Sequence, residues 1–173
     1  MLRPMSEVAV RLAVANAMYF MFKTTGGSGL LMNGTPGTER AKVTVIGGGV
    51  ARTAAANMAA SIGCYVTLIE FNENRIWQLY HLFGKQVHIL KSNHANIEKS
   101  VLASDFVIST VLIPGASAPK LVTEEMVKKM KKKKKIVLLL MLLLTKVVVL
   151  KQLLRQQPMI IQLSLCMMSF ITQ

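Results

Sequence analysis

Lys42-Val43-Thr44-Val45-Ile46-Gly47-Gly48-Gly49-Val50-Ala51-Arg52-Thr53-Ala54-Ala55-Ala56 is the most informative run in this chain. A β-branched, apolar stretch enters three glycines, and an Ala-rich helical run leaves them. Strand, tight turn and helix start in that order are the opening of a dinucleotide-binding βαβ unit. In such a unit Gly47 makes the turn, and Gly49 lets the backbone approach a pyrophosphate. A helix starting near Val50 offers free N–H groups and the positive end of its dipole to phosphates. Arg52 stands where the pattern asks for a third glycine or an alanine. Helix and strand pack closely there, so a long charged side chain is expected to push them apart or bend outward, weakening binding.

Outward from this run, Tyr65-Val-Thr-Leu-Ile69 reads as a second strand ending in Glu70, 21 residues after Gly49. An acid in that place accepts hydrogen bonds from adenosine ribose hydroxyls. A helix is predicted from Asn72, its cap, to Phe83, with Gly84 as its stop and Ile76, Leu79, Tyr80 and Phe83 on its core face. Val87-His-Ile-Leu90 is a third strand, with His88 an edge histidine rather than a ligand. His94 and Asn96 to Leu102 make a short helix, and Asp105 to Val111 is a fourth strand running on into Leu112-Ile113 and the turn Pro114-Gly115. Thr123-Glu-Glu-Met126 opens another helix. Strands alternating with helices across short loops give a Rossmann-like, doubly wound parallel sheet with helices on both faces.

Upstream, residues 5–22 read as one amphipathic helix packed on the domain, with Ser6 its N-cap and Glu7 in its first turn. Arg11 interrupts it, so it does not span a membrane, and no signal peptide is expected. A Gly-rich loop at 24–29 and a Gly34-Thr-Pro36-Gly37 turn lead into the central strand.

The chain has 173 residues and a net charge of +13, which suits one domain with a core. The charge is uneven. Residues 1–127 hold 11 bases and all 8 acids, whereas residues 128–173 hold 10 bases and no acid. The basic excess therefore belongs to a tail and does not mark the domain as a nucleic-acid binder. Cys64 and Cys166 have neither metal-like nor disulfide-like spacing, pointing to a reducing cytoplasm.

Taken together, several blocks resemble alanine dehydrogenase, within the family that also holds the proton-translocating transhydrogenases. They are Pro4-Met5-Ser6-Glu7-Val8-Ala9, the glycine run, Ser92-Asn93 with Asn96-Ile97-Glu98, and Leu112-Ile-Pro-Gly-Ala116 through Val127. The resemblance covers about residues 2–137. It implies NAD as cofactor, with Ser6 at the cofactor and Val50 and Ala51 meeting the pyrophosphate. It further implies Glu70 in the place of a ribose-binding aspartate, Arg75 and Ser92 near the adenosine end, and Val111 with Leu112 lining the cleft. It also implies a homo-oligomeric parent. Family members are about twice this length, and their substrate domain precedes this segment. That domain carries the arginine, lysine and histidine that handle pyruvate, so this chain alone is expected to be inactive.

Beyond Lys131 the character changes. Five lysines precede Ile136 to Leu150, an apolar stretch of 15 residues interrupted by Lys146 and too short for a clean span. Family members here continue Asp-Val-Ala-Ile-Asp-Gln-Gly-Gly. If Leu140 ends in G and Met141 to Val148 are coded ATG TTG CTA TTG ACC AAG GTG GTT, the frame one base earlier encodes that string. Pro158 to Gln162 and Cys166 to Thr172 can conceal family strings in the same frame. The expectation is an incomplete NAD(H)-binding domain over 1–135 and an out-of-frame, aggregation-prone tail over 136–173.

Overall fold

The computed structural model describes residues 2–109, Val122, Met126 and 137–140, all within a compact unit that ends at Met141. Five parallel strands, β1 (Lys42–Ile46), β2 (Tyr65–Glu70), β3 (Val87–Lys91), β4 (Phe106–Ser109) and β5 (Val137–Leu140), lie in the order β3-β2-β1-β4-β5. Helix α1 (Leu2–Met21) leads the chain, and α2 (Val50–Ile62), α3 (Glu73–Phe83) and α4 (His94–Ala103) make the crossovers. Because β4 joins the far side of β1, the strand order reverses there. Right-handed crossovers then put α4 on the opposite face from α2 and α3.

The core follows from strand composition. Parallel strands covered on both faces read as near-continuous apolar runs, and Val43, Val45, Ile46, Phe106, Val107 and Ile108 are all buried. On the α4 face, Ile46, Ile69 and Val107 pack with Ile97, Val101 and Met126. Each fully buried Ile or Val contributes about 1.5–3 kcal/mol. On the other side α2 buries Ala55, Ala56 and Ala59, whose small size lets α1 close on it with Val10, Ala13, Val14 and Ala17.

Several expectations are corrected here. Ser6 is not an N-cap: α1 starts at Leu2, because a proline in a first turn lacks only an N–H that has no partner anyway, so Pro4 does not stop it. Tyr80 is about half exposed rather than core, and Leu79 and Phe83 alone of their set are buried. A 3₁₀ turn at Lys23–Thr25 replaces the start of the expected Gly-rich loop. Val137 to Leu140, assigned to the tail, pair with Phe106 to Ser109 as the fifth strand. Asn72 caps α3 as expected, its Oδ1 accepting from the Arg75 N–H at 3.2 Å, and Gly84 ends it. The helix expected from Thr123 lies outside the described residues, apart from the buried Met126.

Candidate functional site

The candidate site forms where β1 and β2 end side by side. Gly47 has φ of 97°, in the left-handed region that favours glycine, and its N–H donates to the Ile69 carbonyl at 2.6 Å. The turn is thereby tied to the second strand. Gly48 sits against Leu79, whose Cδ1 would lie 2.6 Å from an added Cβ, so the turn has no room for a side chain. Gly49 is the N-cap of α2, and no side chain caps that helix end. The first N–H groups of α2, those of Val50 and Ala51 included, lack intrahelical partners and point along the positive end of the dipole.

Glu70 closes on this turn. Its Oε2 accepts the Gly48 N–H, while Oε1 accepts from Phe71 at 2.9 Å and Asn72 at 3.0 Å. Three of about four acceptor positions on the carboxylate are thus filled by backbone. Arg75 comes back from α3 to the carbonyl side of the same residue. Its Nε donates to the Gly48 carbonyl at 2.8 Å, Nη2 to Thr53 Oγ1 at 3.2 Å and Nη1 to Gln78 Oε1 at 2.8 Å. The Thr53 hydroxyl lies 3.0 Å from the Gly49 carbonyl and 3.2 Å from that of Gly48, donating to one of them. Gly48 is therefore held by its N–H and its C=O between an acid and a base.

Arg52 neither splays the helix from the strand nor bends outward. Its guanidinium folds back over the turn, donating to the Ile46 carbonyl at 3.3 Å. Burial lowers its pKa below the usual arginine range, and the negative charge of Glu70 acts in the opposite sense.

Of the remaining sequence-selected residues, Ser92 is half-buried and donates its N–H to the Glu70 carbonyl at 2.8 Å, which brings the end of β3 to the same rim. Ser6 lies within α1, one helix away in the fold. Val111 and Leu112 fall outside the described residues. Sequence reasoning missed Thr53 and the clamp on Gly48. The signal was present: a threonine in the first turn of a helix can bond back to nearby carbonyls. An open cleft of about 690 Å³ lies at the opposite end of β1 and β2, lined in part by Thr35, Arg40, Lys42 and Tyr65, with Arg40 stacked 5.6 Å over the Tyr65 ring. It touches none of these residues. Among the described residues no group of three or more His, Cys, Asp or Glu could hold a metal, and no helix is long and apolar enough to cross a membrane.

A parallel sheet in this order, with a glycine turn leading from its central strand into a helix and an acid ending the next strand, is a Rossmann-type α/β domain. Residues 13–139 match the family "Alanine dehydrogenase/PNT, C-terminal domain", and the chain belongs to that family. It is 52% identical over 128 residues to an alanine dehydrogenase of Bacillus subtilis (strain 168), a match covering 74% of this chain and 34% of the relative. A solved L-alanine dehydrogenase superposes with a TM-score of 0.73 at 40% identity, over 78% of this chain and 37% of that one. A transhydrogenase from Sinorhizobium meliloti superposes with a TM-score of 0.62 at 26% identity, over 78% and 40%. The chain spans about a third of the length of the curated relatives it matches.

Proposed function

We propose that this chain is the NAD(H)-binding portion of an NAD-dependent L-alanine dehydrogenase. The parent reaction is the reversible oxidative deamination of L-alanine to pyruvate and ammonia, with hydride transfer to NAD. The observation that carries the reading is the 52% identity over 128 residues, which runs through the glycine turn and its facing acid. In this reading the open N–H groups at Val50 and Ala51 and the dipole of α2 meet the pyrophosphate. Gly47 shapes the turn, and Gly49 keeps the backbone bare. Glu70 accepts from the ribose hydroxyls with its remaining acceptor position, and Arg75 and Ser92 support the adenosine end. The family resemblance would add Ser6, Val111 and Leu112 to the residues that serve the cofactor.

Everything these residues do is binding and orientation. Protonating an imine or carbinolamine needs a general acid–base group beside the nicotinamide, and in this reading that group belongs to the part of the parent that the chain does not span. The chain by itself binds NAD(H) and turns over no alanine; the parent is cytoplasmic and homo-oligomeric. The family correspondence stops at residue 139, and the family string hidden in the alternative frame starts at Met141. That junction supports loss of the reading frame between the lysine run and Met141. The likeness to the transhydrogenase favours a second reading, an NAD(H) domain of transhydrogenase type, which the lower identity ranks behind the first.

Two measurements test this. Titration of the 173-residue chain with NADH, followed by nucleotide fluorescence, is expected to show saturable binding without alanine-dependent reduction of NAD. An absence of binding removes the cofactor reading. Sequencing the DNA across the codons for Lys131 to Leu140 is expected to reveal one base gained or lost, and an intact frame overturns the account of the tail.

A further inference from the structure

A helix N-terminus favours anions and repels cations, yet the third residue of α2 is an arginine. Helical side chains lean toward the N-terminus, which carries the Arg52 guanidinium back onto the turn. Nη1 lies 2.1 Å from where a Cβ on Gly47 would be, and Nη2 lies 3.1 Å from where one on Gly49 would be. In a Rossmann turn the second glycine is bare so that a pyrophosphate can approach the backbone. Here that bare surface faces the guanidinium instead.

The grip on the arginine is weak. It rests on one long bond to the Ile46 carbonyl and on attraction to Glu70. Burial and the dipole both oppose the charge. A group held this loosely leaves when something better arrives, and its departure breaks no covalent bond.

We propose that Arg52 gates the cofactor site: its guanidinium occupies the pyrophosphate position in the free protein, and a dinucleotide binds only by displacing it. The inference deepens the NAD(H) reading and rests on it. The gate sits on the phosphate part of the ligand, so it acts equally on any nucleoside diphosphate that uses the turn. Alanine at 52 removes the guanidinium while adding the best helix former.

The test compares the full chain with Arg52→Ala and Arg52→Gly, titrating each with NADH and with ADP-ribose, and melting each without ligand to verify folding. Both variants are expected to bind both ligands about fivefold or more tighter than the parent chain. Equal or weaker binding by the folded variants overturns the gate and leaves the cofactor reading standing. Binding of neither ligand by any of the three proteins overturns both. A gain for NADH without one for ADP-ribose also overturns the gate, because it would place the effect at the nicotinamide end.

Discussion

Polar groups gather at two ends of the same apolar sheet, and they are built differently. At the strand ends beside the glycine turn, Glu70, Arg75 and Arg52 are charged and only partly buried. At the entry end, Thr44, Ser100, Ser104 and Asp105 are all buried. Thr44 Oγ1 and Ser104 Oγ lie 2.5 Å apart, Ser104 donates to the Ser100 carbonyl at 2.7 Å, and Asp105 Oδ2 accepts the Lys42 N–H at 2.8 Å. The entry cluster pins α4 and β4 to β1. The turn cluster instead spends charged side chains on the backbone of one turn residue, Gly48. Hydroxyls and a carboxylate buried against backbone partners mark a joint of the fold, whereas half-exposed charge on a helix N-terminus marks a place for a ligand.

The comparison breaks most visibly at Asp105. Asp105→Ala removes a buried side chain and the acceptor of the part-buried Lys42 N–H, and stability is expected to fall by about 2–3 kcal/mol in chemical denaturation. NADH affinity of the remaining folded fraction should not change. A loss of affinity there would mean that the two ends are not separate in function. Glu70→Ala is the converse. It is expected to weaken NADH binding on the order of tenfold or more while lowering stability by about 1–2 kcal/mol, since Phe71 and Asn72 are exposed and regain water, leaving the buried Gly48 N–H without its acceptor. A large stability loss with unchanged affinity would turn the site into a second structural joint.

Much of this was legible in the chain beforehand. The glycine run fixed the strand–turn–helix order, because few other sequences let a backbone turn that tightly between a β-branched run and an Ala-rich one. Asn72 and Gly84 announced the ends of α3 through their capping chemistry. Arg52 was visible as an anomaly, but its direction was not. Whether a side chain splays outward or folds back over a turn depends on the local balance of burial, dipole and one carbonyl, which no spacing rule contains. Tyr80 was misplaced for a related reason. A helical period marks a face, and the neighbouring element decides how much of that face is covered. The Gly48 clamp was hidden because Glu70 ends β2 and Arg75 lies on α3, and only the fold brings both onto a turn more than twenty residues earlier.

Thr44→Val sharpens the contrast at the entry end with a smaller effect. The substitution keeps the shape and removes one hydroxyl, leaving Ser104 its bond to the Ser100 carbonyl. A loss of about 1 kcal/mol is expected. Adding Ser104→Ala should cost less than the sum of the two single changes, because each hydroxyl serves the other. Additive losses would show that they act alone.

An effect of similar size, seen only as pH rises, belongs to Cys64, which immediately precedes β2 at the same buried end. Burial pushes its thiol up to about 11, and the charge of Asp105 adds to the shift. The folded state therefore holds its proton where the unfolded chain, near the ordinary thiol value of about 8.5, has released it. With more protons bound in the folded state, stability falls as pH rises. The contribution is present below the unfolded value and is lost progressively between there and pH 11. By about pH 9.5 the chain should have lost roughly 1 kcal/mol relative to pH 7.5 that a Cys64→Ala variant does not lose. Denaturation midpoints of the two proteins across that range measure it as a difference in slope. Parallel slopes would mean that the thiol ionises freely and that water reaches the entry end. The contrast between a sealed joint and an open site would then fail where it is easiest to check.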